Sequence, residues 1–214
     1  MTENNQHSSA GRQSSYCDGA DLNQQLNLNP DSGYHRFYWL NLIPVLFAGL
    51  WGLAIASLVL GTWLPFLAAL LAVFIFWGLG LETRLQCSHC PHYDAGKGGK
   101  ISCWALRGYP KLWEYRPGDL NSAERIILFL CYGIIFGLPL ISMIAGLVVI
   151  SMNFSQYTLI SFLGLAGILL AFCLSSLHML MVKRRVFCSR CLNFTCNLNN
   201  VPPSLIKKYE ERAD

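Results

Sequence analysis

Residues 37–81 read FYWLNLIPVLFAGLWGLAIASLVLGTWLPFLAALLAVFIFWGLGL, without one charged side chain. Residues 126–182, IILFLCYGIIFGLPLISMIAGLVVISMNFSQYTLISFLGLAGILLAFCLSSLHMLMV, form a second such tract. A membrane-crossing helix needs about 20 mostly apolar residues, so each tract is long enough for two. Gly61-Thr62-Trp63-Leu64-Pro65 interrupts the first tract with turn formers and an interfacial Trp. Ser151-Met152-Asn153-Phe154-Ser155-Gln156-Tyr157 interrupts the second with polar groups. The predicted spans are therefore 37–60, 64–81, 126–150 and 157–182.

Composition excludes the soluble alternative. Apolar residues make up 53% of the 214 residues and charged ones only 13%, too little polar surface to cover a core this apolar. The basic residues fix an orientation. The hairpin tips carry none, whereas Arg84, Lys97, Lys100, Arg107, Lys111, Arg116 and Arg125 follow the first tract. Lys183, Arg184, Arg185, Arg190, Lys207, Lys208 and Arg212 follow the second. The positive-inside rule puts both chain ends and the middle segment in the cytoplasm. This topology accounts for the net charge of +4, and the basic residues form no stripe for nucleic acid.

The expected fold class is an all-α membrane protein with four transmembrane helices in two hairpins and small Cys-rich cytosolic elements. The organisation follows: a polar tail over 1–33, a hairpin over 34–83, a Cys-rich loop over 84–125, a second hairpin over 126–182, and a Cys-rich tail over 183–214. The leading tail is rich in Asn, Gln, Ser and Gly and is expected to be disordered through Asn29. Its His7 and Cys17 receive no role. The first apolar tract starts late and runs too long for a cleavable signal peptide.

A short motif recurs after each hairpin. Arg84-Leu85-Gln86-Cys87-Ser88-His89-Cys90 is echoed by Arg185-Val186-Phe187-Cys188-Ser189-Arg190-Cys191. Each copy is followed by a third cysteine, Cys103 or Cys196. Tyr93 and Phe194 stand three residues past the second Cys of each copy. The pattern implies two parallel repeats about an axis along the membrane normal. In the first helix of each half, Pro44 and Pro139 are expected to kink the chain. Gly52 with Ala56, and Gly133 with Gly137, have the spacing of close helix contacts. Asn121-Ser122-Ala123-Glu124 has the form of a capping box. Trp104, Tyr109, Lys111, Trp113, Tyr115 and Arg116 are expected at the headgroup level.

Six of the nine cysteines, Cys87, Cys90, Cys103, Cys188, Cys191 and Cys196, fall on the cytoplasmic side, where disulfides are disfavoured. Cys131 and Cys173 lie in the spans as packing residues. Two Cys-x-x-Cys pairs can supply four thiolates to one zinc, and iron–sulfur clusters use the same donors. Two three-thiol sites, one of them completed by His92, would serve equally. The spacing does not choose between zinc and an iron–sulfur cluster. Arg84, Arg185 and Arg190 are candidates for lowering the thiol pKa values.

A second reading is a membrane thiol–disulfide oxidoreductase exchanging electrons with a quinone near His178, the one histidine within a span, or with a protein partner. A third is soft-metal handling, although the spans hold no acidic residue. No serine-hydrolase elbow, nucleotide fingerprint or paired carboxylate is present. The glycine run Gly96-Lys97-Gly98-Gly99-Lys100 lacks the ending of a phosphate loop. The layout is similar to that of protein acyltransferases with a zinc-bound Cys-rich loop, but the Asp-His-His-Cys signature is missing. It is also similar to four-helix thiol oxidases that reduce quinones, whose thiols work on the oxidising face.

Overall fold

The computed structural model describes residues 25–26, 32–95, 98–194, 196 and 198–211. Among them the chain is all-helical, with a single isolated bridge between Lys100 and Pro110. The first long helix, α1, runs Ser32–Val59. Next come α2 (Leu64–Val73), continued by a π turn over Phe74–Gly78, and the short helices α3 (Leu81–Leu85) and α4 (Pro91–Ala95). Helix α5 (Ser122–Tyr132) passes through a π turn at Gly133–Gly137 into α6 (Leu138–Met152). Helix α7 (Leu159–Val182) ends in another π turn, Lys183–Phe187, and α8 (Pro203–Glu210) closes the described chain.

Among the described residues, three helical stretches are long and apolar enough to cross a membrane: Ser32–Val59, Ser122–Met152 and Leu159–Arg190. A fourth crossing exists only if Leu64–Gly78 and Leu81–His89 are counted together, because the chain bends by 54° between them. The span expected over 64–81 is therefore a broken one. Gly80 makes the bend, with φ of +71°. Its carbonyl accepts hydrogen bonds from Thr83 Oγ1 (2.7 Å) and the Trp113 indole (3.0 Å). An added Cβ there would lie 2.6 Å from Leu112, so both conformation and space favour glycine.

Helix α1 is the centre of the bundle and packs along both α6 and α7. Its contact face is made of small and apolar residues. Gly52 faces Met143 and Ile168, Gly49 faces the Phe172 ring, and Ala56 abuts Gly146. The Gly52/Ala56 pair thus allows close approach. Gly133 and Gly137 do not, since a Cβ on either would meet nothing within 4 Å. They lie in the π turn instead. That turn prepares Pro139, which cannot donate a backbone hydrogen bond. Pro44 sits within a helix that continues through it. The outward faces carry Leu40, Phe47, Leu64, Phe129, Met152 and Ile160, all strongly exposed. Such an apolar exterior suits hydrocarbon rather than water.

At one end the hairpin tips meet, with Tyr157 donating its hydroxyl to the Val59 carbonyl at 3.4 Å. At the other end the middle loop folds back onto the helices. Trp104 stacks on Phe187 with ring centres 4.3 Å apart, and Tyr38 stands edge-on to both. His35 Nδ1 lies 3.1 Å from the Trp104 carbonyl. Tyr109 donates to the Trp77 carbonyl (2.8 Å) and Tyr93 to that of Trp113 (2.6 Å). Trp104 is buried, its ring packed between Tyr38 and Phe187 where the loop meets the helices.

The leading tail is also tied down at one point. Leu26 is fully buried against Leu192, Val201 and Leu205, although most of the tail expected to be disordered lies outside the described residues. Two outcomes test this packing. Trp104→Ala removes a buried ring and is expected to cost about 3 kcal/mol or more, read as a lower melting temperature in detergent. Gly52→Leu is expected to abolish the folded bundle, while Gly137→Ala leaves its melting temperature within a few degrees of wild type.

Candidate functional site

Both Cys-Ser-x-Cys copies adopt one local geometry. Cys87–His89 and Cys188–Arg190 are single 3₁₀ turns, each closing a helical segment. In each, the Ser hydroxyl donates to the Arg carbonyl four residues back: Ser88 to Arg84 at 2.5 Å and Ser189 to Arg185 at 2.6 Å. The second cysteine of each copy then turns to extended backbone, with φ/ψ of −93°/136° at Cys90 and −85°/132° at Cys191. The matched sequence thus produces matched backbone. A serine back-bonded to the helix end frees the next residues to turn, which points both cysteines of a copy to one side.

All six predicted thiols line one cavity of about 320 Å³: Cys87, Cys90, Cys103, Cys188, Cys191 and Cys196. Residues more than a hundred positions apart are thereby brought together at one end of the bundle. The aromatic clasp explains how. Trp104 follows Cys103 directly and Phe187 precedes Cys188 directly, so their stack brings the two segments that carry these cysteines onto one cavity. Among the described residues, no group of three or more His, Cys, Asp and Glu side chains is arranged to hold a metal ion. The eight cysteines described are all free thiols.

The cavity is mainly apolar, and this governs thiol chemistry. Burial pushes the Cys191 thiol up to about 12, helped by the neighbouring thiols Cys103, Cys196 and Cys188. Burial likewise pushes Cys90 and Cys103 up, with Cys103 and Cys191 adding to the effect at Cys90. In the absence of a bound cation these groups are neutral thiols at neutral pH. The arginines proposed to lower them do not line the cavity. Arg84 lies over the Trp113 ring at 4.8 Å, and Arg190 donates to the Tyr34 hydroxyl at 2.8 Å.

Neither histidine on the candidate roster lines the cavity. His92 is buried, and its carbonyl accepts from the Ser102 amide at 3.3 Å. Its repeat counterpart Asn193, by contrast, does line the cavity. His178 Nε2 lies 2.9 Å from Asn41 Oδ1 on α1, an interhelical contact remote from the thiols. His89, inside the first Cys pair, faces Gly118 O (3.0 Å) and the Arg116–Glu124 pair. Arg116 Nη2 donates to Glu124 Oε1 at 2.7 Å. Asn121 and Glu124 cap α5 reciprocally, as their spacing predicts. This network anchors the loop between its first cysteines and α5.

Sequence reading missed the polar groups of the same cavity: Glu82, Lys183, Gln86, Tyr38 and Tyr132. Gln86 Nε2 donates to the Tyr132 hydroxyl at 2.9 Å, and the Lys183 ammonium stands 5.7 Å from the centre of the Tyr132 ring. A signal did exist. Counted back from the matched Arg84 and Arg185, Glu82 and Lys183 occupy the same repeat position. Each is the first charged residue after its apolar tract.

The raised thiol pKa values give a direct test. In metal-free protein at pH 8, Cys191 is expected to react with iodoacetamide more slowly than in the denatured chain by more than about tenfold, because only thiolate attacks. The rate climbs steeply as pH approaches about 12. Equal native and denatured rates at pH 8 would show the thiol to be accessible and unperturbed.

No protein-family model, curated protein or solved structure matches the chain.

Proposed function

We propose that the protein is a four-span membrane protein carrying a cysteine-ligated metal centre at its cytoplasmic face. The observation that carries this reading is that six thiols from two separate segments line a single cavity. Thiols gathered in a reducing compartment have two principal uses, metal ligation and electron exchange. Exchange needs an accessible thiolate, and burial works against one at Cys90, Cys103 and Cys191. Metal binding overcomes the same obstacle, since a bound cation deprotonates its thiols outright. The dithiol–disulfide reading is therefore the weaker one.

The size of the cavity bears on the kind of centre. A single zinc holds its thiolates at about 2.3 Å in a closed tetrahedron. Among the described residues no three donors are arranged to hold one ion, so thiols lining this cavity of about 320 Å³ must move to meet it. An iron–sulfur cluster is an extended object whose four thiolates stand apart around it. We read the centre as a cluster, whose size suits the cavity, with its ligands drawn from Cys87, Cys90, Cys103, Cys188, Cys191 and Cys196. The chain would supply the ligands, exclude water with Trp104 and the leucines of the cavity wall, and tie the loop to the C-terminal segment. When bound, the cluster supplies one-electron transfer. The membrane topology belongs to the same reading. The bent pair forms the second span, the tips lie outside, and the thiols lie at the Lys- and Arg-rich face. The two halves are parallel repeats.

Purification of the full chain in mild detergent without oxygen tests this. A brown protein with broad visible absorbance, containing iron and acid-labile sulfide, is the expected result. Stoichiometric zinc in a colourless protein would keep the metal centre and overturn the cluster. Metal-free protein whose thiols form reversible disulfides would overturn both. Cys188→Ser and Cys90→Ser are each expected to lose most of the bound metal, whereas Cys131→Ser and Cys173→Ser retain it. Reporter fusions to both chain ends should report the cytoplasm.

A further inference from the structure

We propose that Lys183 and Glu82 set the charge balance of the thiol cavity, Lys183 as the counter-cation of the bound centre and Glu82 as the opposing anion that limits it. The inference rests on the metal-centre reading and assigns two non-ligand residues to that site.

Four thiolates around a zinc ion, or around an iron–sulfur cluster, leave a net negative centre. In an apolar cavity such a charge is costly unless a cation stands near it. Two basic residues line this cavity, Lys183 and Arg125. The Arg125 guanidinium is drawn outward, with Nε donating to the Leu120 carbonyl at 3.1 Å on an exposed surface. Lys183 lies inward, its ammonium over the Tyr132 ring, and it belongs to none of the ion pairs found among the described residues. It is close enough to Cys188 for each to feel the other's charge.

Glu82 is the corresponding group of the other half. It is buried, lines the same cavity and acts electrostatically on Cys87 and Cys103. The Trp77 side chain lies within hydrogen-bonding reach of its carboxylate. Glu82 and Lys183 form no mutual ion pair within 4 Å among the described residues, although they face one cavity. They act on each other electrostatically from equivalent positions of the repeat, and both face the space that the six thiols line, so removing either one changes the charge presented to it. Neither is a sulfur donor, so their influence is through the field. At an effective dielectric of about 20, a unit charge several ångströms from the centre changes its stability by about tenfold or more.

The experiment measures the rate at which detergent-purified full-length protein releases its bound metal to excess EDTA. The wild type is assayed first, and a wild type that carries no metal sinks the metal-centre reading itself. With metal present, Lys183→Met is expected to release it about tenfold faster and Lys183→Arg at close to the wild-type rate. Glu82→Gln, which keeps shape and removes charge, is expected to release it more slowly. Melting temperatures of the metal-free proteins separate folding damage from the field effect. Unchanged rates in both Lys183→Met and Glu82→Gln, or shifts of both in the same direction, overturn the inference while leaving the metal centre standing. If Lys183→Met fails to fold, Glu82→Gln decides alone, because faster or unchanged release contradicts the assigned role.

Discussion

The stacking of Trp104 on Phe187 is the contact on which this architecture turns. It joins a loop residue to the end of the last long helix, across more than eighty positions of sequence. Each ring is the immediate neighbour of a cysteine, so the stack places Cys103 and Cys188 on one cavity. Tyr38 seats both rings against α1, the helix around which the bundle is assembled. Offset and edge-on aromatic pairs of this kind add about 0.5–1.5 kcal/mol each beyond the area they bury. Other contacts also tie the middle loop to the helices, among them Tyr109 to Trp77, Trp113 to Gly80 and Arg116 to Glu124.

The fold was legible where one-dimensional signals are strong. Two uncharged tracts gave the long helices, and the recurring Arg-x-x-Cys-Ser-x-Cys gave two ends with the same backbone. The physical basis is the Ser hydroxyl, which caps its helix through the carbonyl four residues back in both copies. The capping box at Asn121 and Glu124 was legible for the same reason, being a local interaction with fixed spacing. The bend at Gly80 was not. Its cause is the packing of Leu112 and Trp113 from a loop thirty residues away, which no local pattern encodes. Gly133 and Gly137 show the converse: they carry the spacing of a helix contact and touch nothing.

The site was half legible. Cysteine spacing names the six thiols that share the cavity, whereas Arg84, Arg185 and Arg190, the charged residues expected beside them, do not line it. Arg84 and Arg190 were chosen for closeness in sequence, yet each points away, to Trp113 and Tyr34. Glu82 and Lys183 were passed over because a charge at the end of a span reads as an anchor in water. Whether such a residue turns outward to headgroups or inward to a cavity depends on rotation of the helix end. Here the π turn over Lys183–Phe187 adds a residue to the last turn and alters which side chains face the thiols. Nor do the two candidate histidines line the cavity: His178 meets Asn41 and His92 is buried beside Cys90.

Apolar surroundings explain why such a cavity can exist before anything occupies it. A neutral thiol behaves as a small hydrophobic group, so six of them can line an apolar wall at little cost. The same wall holds Cys90, Cys103 and Cys191 in their protonated form and thereby suppresses reaction with oxidants. Ligation by a cation reverses the balance. Each thiol then gives up its proton, and what was an apolar pocket becomes an anionic one. A site that passes between these two states needs charge compensation that is fixed in place yet tolerable when the pocket is neutral. On the reading proposed above, Lys183 and Glu82 would supply it, since both line the pocket and act on each other and on its thiols.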